Sequence, residues 1–166
     1  MSHSPSPAIA YLALGANLGD PVATVDSAFA AISRLPQSTL LARSALYRTA
    51  PVGLADQPEF INAAARIETR LAPEALLDAL LAIEQDFGRI RSLRNGPRTL
   101  DLDLLLYDDL VLDTPRLSLP HPRLHLRAFV LQPLADVVPT PDFPLPGRGT
   151  LAAWLPAVAH QGIVRL

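Results

Sequence analysis

Residues 60 to 69 alternate with a period of two. Ile61, Ala63, Ala65 and Ile67 fall on one side, Asn62, Arg66 and Glu68 on the other. Such alternation belongs to a strand with one face against a core. A lone strand is unstable, so the rest of the chain must supply a sheet and an apolar cover. Ile9 to Leu14 is a short apolar run and reads as a buried strand. Asp20 is a good N-cap, Pro21 suits a first helical position, and Val22, Val25, Phe29 and Ile32 recur at helical spacing until Pro36. Leu40 to Thr49 reads as one further strand. Pro73 opens a second helix with Leu76, Leu80, Ile83 and Phe87 on one stripe, and Gly88 is expected to stop it. Leu100 to Tyr107 supplies the last strand.

The order β-α-β-β-α-β is ferredoxin-like. It predicts an α+β fold, an antiparallel sheet with helices packed on one face and a C-terminal extension. The extension holds a Pro-rich loop at 117–122, a helix near 126–135 and a short helix near 151–158. At 166 residues the chain fits one domain, expected over 8–166 behind a loose tail at 1–7.

Composition removes several kinds of chemistry. There is no cysteine, which excludes disulfides, thiol catalysis and thiolate metal sites. All 14 basic residues are arginine, so Schiff-base chemistry and a Walker-type lysine are excluded too. A net charge of −2 argues against general nucleic-acid binding. No apolar stretch approaches the roughly 20 residues of a membrane span, and residues 1–7 lack the charged and apolar regions of a signal peptide. The expectation is a cytoplasmic protein that binds neither nucleic acid nor membrane.

The chemistry concentrates between Arg89 and Leu106. Arg89, Arg91, Arg94 and Arg98 fall in ten residues with no acid among them. Asp101 and Asp103 follow, two apart on a strand and therefore on one face. Asp is depleted in strands, so a pair inside a Leu-rich run needs compensation, and a metal supplies it. Mg²⁺ is commonly held by one or two carboxylates plus substrate phosphates, and guanidinium groups grip phosphate oxygens. Together they suggest a site for a Mg-polyphosphate, most simply ATP. His121, with Arg123 and Arg127 close behind, fits nucleotide or phosphate contact. Phe60 and Asn62 share a strand face on which a flat heterocycle could stack and hydrogen-bond. Glu84, on a helix, would ordinarily face solvent.

The segment from Gly96 to Leu105, Gly-Pro-Arg-Thr-Leu-Asp-Leu-Asp-Leu-Leu, closely resembles the signature of the 6-hydroxymethyl-7,8-dihydropterin pyrophosphokinases of folate synthesis. Further blocks at 13–18, 47–53, 56–63 and 120–129 resemble the same family in the same order. The resemblance implies transfer of pyrophosphate from ATP to the hydroxymethyl group of a reduced pterin, releasing AMP. It implies that Asp101 and Asp103 bind two Mg²⁺ ions. Arg89 and Arg98 would hold phosphates and share the catalytic work, with Arg98 nearest the transferred group. Glu84, Arg91, Leu104, His121 and Arg127 would contact ATP. Thr49, Ala50 and Val52 would meet the pterin largely through backbone groups, Asn62 would read its amide-like edge, and Phe60 and Phe129 would sandwich the ring. The enzyme is expected to be a monomer. Asn95 stands where the family often carries an aromatic. Two rival readings use the same residues: another Mg-dependent phospho- or nucleotidyltransferase, and a non-catalytic ferredoxin-like module binding a small ligand.

Overall fold

The computed structural model describes residues 6–17, 19–49, 59–91 and 100–166, with backbone only at 89–91. Strand β1 (Ala8–Ala16) leads to helix α1 (Pro21–Ser33), then strands β2 (Ser38–Arg43), β3 (Tyr47–Thr49) and β4 (Phe60–Thr69). Helix α2 (Pro73–Arg91) precedes β5 (Asp101–Tyr107) and the small hairpin of β6 (Leu112–Asp113) and β7 (Ser118–Leu119). Helices α3 (Ala128–Val137) and α4 (Leu151–Trp154) and strand β8 (Ile163–Arg165) complete the chain. The main sheet runs β5-β1-β4-β3-β8, with β2 also paired to β4. The pairings of β1 with β4 and β5, and of β4 with β2 and β3, are all antiparallel. This is the ferredoxin-like arrangement, extended by β8 along β3.

Local chemistry sets the element ends. The Asp20 carboxylate accepts from Ala23 N at 3.1 Å and Pro21 opens α1, as the capping pattern predicts. α2 passes through Gly88 to Arg91 instead of stopping there. A glycine ends a helix by turning left-handed, and Gly88 is not among the positive-φ residues. The strand expected over 40–49 is two strands, because Ser44 breaks the ladder. Its N–H donates to Ala64 O at 2.9 Å, while its hydroxyl accepts from Ala64 N at 2.8 Å in place of a backbone carbonyl.

The expectation of helices on one face is corrected: both faces are covered. Beneath the sheet, α1 and α2 close a core of Leu12, Leu14, Phe29, Ile32, Ile67, Leu80, Leu102 and Leu104. On the opposite face the C-terminal extension builds a second core from Tyr11, Ala64, Leu105, Leu106, Leu131, Leu134 and Leu151. Ala64 and Tyr11 are small or amphipathic enough to let α3 lie close, and Arg66 reaches across with its guanidinium Nη1 donating to Val137 O at 2.9 Å. The extension covers only part of this face; the remainder carries the polar residues.

Candidate active site

Strand register assembles that polar region. Tyr47 lies opposite Asn62, Asn62 opposite Gly15, and Gly15 opposite Asp101, so these four share one row across four strands. The next row sets Ala64 beside Ala13 and Ala13 beside Asp103. Thr49 and Phe60 lie opposite one another in the row on the other side. Asp101 and Asp103 therefore stand on one face, both exposed, while Leu102 between them is buried below. Only Gly15 and Ala13 intervene between the carboxylates and Asn62. The result is a polar floor two strand spacings wide, about 10 Å.

Gly15 is needed there. A Cβ at that position would lie 3.0 Å from Asn62 Oδ1. Asn62 is buried and donates through Nδ2 to Thr49 Oγ1 at 2.9 Å. That bond fixes the amide's orientation and leaves its oxygen beside Gly15, over the floor. A planar ring with adjacent donors could lie flat there and be read along one edge.

His121 borders the other end. β5 bulges against β1 between Leu104 and Leu106, and the freed Leu105 O accepts from His121 N at 2.9 Å. Arg123 N donates to His121 Nδ1 at 3.3 Å, so the neutral ring carries its proton on Nε2. Burial pushes the His121 pKa down; the Asp103 carboxylate opposes this, and Arg127, Arg123 and Arg148 reinforce it. Arg148 Nη1 also donates to His121 O at 2.7 Å, and its own backbone O accepts from Trp154 Nε1 at 2.6 Å. Arg127 precedes α3 with its guanidinium 5.3 Å from the Phe129 ring centroid. Arg123, Arg127 and Arg148 thus form an arc of positive charge about His121, with the Asp103 carboxylate also within electrostatic reach, a grouping suited to binding a polyanion.

Of the expected site residues, the register groups Asp101, Asp103, Thr49, Phe60 and Asn62 on one face, His121 lies within electrostatic reach of Asp103 and Arg127, Arg127 stacks near Phe129, and Glu84 bonds the backbone of β5. One differs from its sequence reading. Glu84 does not simply face solvent: it is half-buried and its carboxylate accepts from Leu102 N at 2.7 Å. The Leu104 side chain lies in the core under the sheet. Ala50, Val52 and Arg98 lie outside the described residues, as do the side chains of Arg89 and Arg91. Sequence reasoning missed Arg148, which sits in a Gly- and Pro-rich loop with no pattern to single it out, and Asp136. The latter accepts from Tyr47 Oη at 2.9 Å and Ala45 N at 3.2 Å, tying α3 to the start of β3.

Two carboxylates with hard oxygen donors fit a cation such as Mg²⁺. Among the described residues no group of three metal-ligating side chains occurs, so remaining coordination positions would go to phosphate oxygens and water.

The family described as 7,8-dihydro-6-hydroxymethylpterin-pyrophosphokinase (HPPK) matches residues 11–139. The chain is 51% identical over 156 residues to a Pseudomonas aeruginosa protein named 2-amino-4-hydroxy-6-hydroxymethyldihydropteridine pyrophosphokinase, covering 94% of this chain and 95% of that one. It is 44% identical over 129 residues to a Bacillus subtilis protein of the same name, covering 78% and 77% of the two. In structure it is similar to a Plasmodium falciparum HPPK-DHPS crystallised with pteroate, at a TM-score of 0.72 and 14% identity. That match covers 95% of this chain but 43% of the Plasmodium chain, so this chain spans less than half of that protein.

Proposed function

We propose, on the premise that the chain belongs to the 7,8-dihydro-6-hydroxymethylpterin-pyrophosphokinase family, that the row from Asn62 across Gly15 to Asp101 is its catalytic floor. The enzyme is a pyrophosphokinase of folate biosynthesis acting on 6-hydroxymethyl-7,8-dihydropterin, with ATP as donor. The observation that carries the site assignment is the register itself. It sets a buried, oriented amide about two strand spacings from a carboxylate pair, with nothing taller than alanine between. The pterin would lie on this floor with its amide-like edge at Asn62, near Thr49, Ala50 and Val52, and between Phe60 and Phe129. Its hydroxymethyl group would then point toward Asp101 and Asp103.

The hydroxymethyl oxygen attacks the β-phosphorus of ATP as the bond from that phosphorus to the α,β-bridging oxygen breaks. AMP leaves with the bridging oxygen, and the hydroxyl proton passes to solvent or to Asp103. Such transfer depends on in-line positioning and charge neutralisation more than covalent catalysis. Asp101 and Asp103 would hold two Mg²⁺ ions, whose chemistry is to polarise the phosphate and acidify the attacking hydroxyl. Arg89, Arg91, Arg98, His121 and Arg127 would hold phosphate oxygens, with Arg98 nearest the transferred group. His121, whose Nδ1 accepts from Arg123 N, would donate from Nε2. The reading extends to a single domain over 8–166 that works as a cytoplasmic monomer. No helix among the described residues is long and apolar enough to cross a membrane.

Incubation with Mg²⁺, ATP and 6-hydroxymethyl-7,8-dihydropterin, resolved by mass spectrometry, tests the reaction. AMP and the pterin diphosphate are expected. ADP with a pterin monophosphate would make the enzyme a simple kinase.

A further inference from the structure

We propose that Glu84 is a positioning residue for the Asp101–Asp103 pair, acting through the amide of Leu102 rather than on the nucleotide. The inference rests on the assignment of those aspartates as the metal-binding pair. β5 is at one end of the sheet order, so one side of its backbone has no strand neighbour among the described residues. Edge donors of this kind fray unless something caps them. Leu102 N–H lies between the two aspartates in sequence, and it is this donor that Glu84 Oε2 takes, at 2.7 Å. A carboxylate accepting from a backbone amide at that distance is a strong, charge-assisted bond.

The helix explains why Glu84 reaches it. Leu76, Leu80, Ile83 and Phe87 face the core, and Glu84, one turn beyond Leu80, stands at the rim of that stripe, where α2 packs under β5. On the other side of β5, Asp101 and Asp103 are held in register with Gly15 and Ala13 of β1. The segment bearing both aspartates is therefore pinned from each side, by a sheet ladder and by a helix carboxylate. A third acid close to two carboxylates is electrostatically unfavourable. A purely apolar or neutral residue would pack at the rim without that repulsion. The acid is accounted for by the bond it makes.

The test reads the amide directly and the reaction separately. Hydrogen exchange at Leu102 N–H, followed by NMR on the ligand-free protein, is compared for wild type, Glu84→Ala and Glu84→Gln. Gln keeps an acceptor oxygen without the charge. In Glu84→Ala the Leu102 amide is expected to exchange at least about tenfold faster and kcat to fall about tenfold, the scale of one lost hydrogen bond to a charged group, with KM for ATP changed less than about twofold. Glu84→Gln is expected to restore most of both. Unchanged exchange in Glu84→Ala would overturn the proposal, as would a raised KM for ATP at constant kcat, the mark of a nucleotide contact. Glu84→Gln falling as far as Glu84→Ala with its amide still protected would also overturn it. If the wild type failed to transfer pyrophosphate, the functional reading would fall while the exchange result still judged the pinning of β5.

Discussion

The upper face of the sheet has two ends built from the same strands, and they differ in kind. At one end Tyr11, Leu41, Arg66, Phe143 and Pro144 line a cavity of about 700 Å³. At the other, Gly15, Asn62, Asp101 and Asp103 share a polar floor set by the strand register. An apolar cavity of that size is a common kind of small-molecule site. Charge and geometry send the chemistry to the second. The cavity end holds a Tyr11–Phe143 edge-to-face contact at 5.2 Å, with polar groups largely committed to structure: Asp108 accepts from Ile9 N, and Arg66 reaches Val137 O. The polar end gathers a carboxylate pair, an oriented amide and an arginine arc. For a polyanionic substrate, convergent charge identifies the site better than an apolar cavity does.

Substitutions at the two ends should therefore separate activity from stability. Asp101→Ala or Asp103→Ala is expected to lower kcat by well over ~100-fold, the scale for removing a transition-state charge stabiliser. The melting temperature should scarcely move, because both side chains are exposed. Phe143→Ala at the cavity end should do the reverse, costing stability while turnover per folded molecule stays near normal. Steady-state kinetics beside thermal melts checks both, and near-normal activity in either aspartate variant would erase the contrast.

Asn62→Ala should raise KM for the pterin by roughly tenfold or more while leaving KM for ATP in place, since a site built to pair a polar edge loses discrimination when a partner is removed. Gly15→Ala should act the same way but more weakly, by several-fold in the sense of that same pairing argument. Its methyl would press on Asn62 Oδ1 at 3.0 Å and shift the amide by a few tenths of an ångström. A loss confined to ATP in either variant would place the pterin elsewhere.

The smallest expected effect concerns Tyr47, whose pKa is pushed up to about 12 by burial and by the Asp136 carboxylate that its hydroxyl bonds. The folded state thus holds this proton more tightly than the unfolded chain does. Its stabilising contribution is complete below the ordinary tyrosine value of about 10 and is lost as pH rises from there toward 12. Denaturant unfolding from pH 9 to 12 should show a shallower decline in Tyr47→Phe than in wild type. Equal slopes would remove the ionisable link between α3 and β3.

Much of this was legible in the sequence because strand alternation carries side chains to defined faces. The alternation of Phe60 to Thr69 predicts that Asn62 faces away from Ile61 and Ala63, and the two aspartates two apart must share a side. Asp20 and Pro21 start α1 where the capping rules put it. Long-range pairings stayed hidden. No periodicity announces that Ser44 interrupts a strand by bonding Ala64, that β8 adds to β3, or that the extension covers the second face. Glu84 read as a solvent-facing helix residue because helical position does not say which strand edge lies above it. Arg148 joins the arginine arc through a loop with no regular period.

The most direct test is a crystal structure with Mg²⁺, a non-hydrolysable ATP analogue and 6-hydroxymethyl-7,8-dihydropterin. The account predicts the pterin flat over Gly15 with its amide edge at Asn62, and metal on Asp101 and Asp103. A pterin or nucleotide seated instead against Tyr11, Arg66 and Phe143 would contradict it.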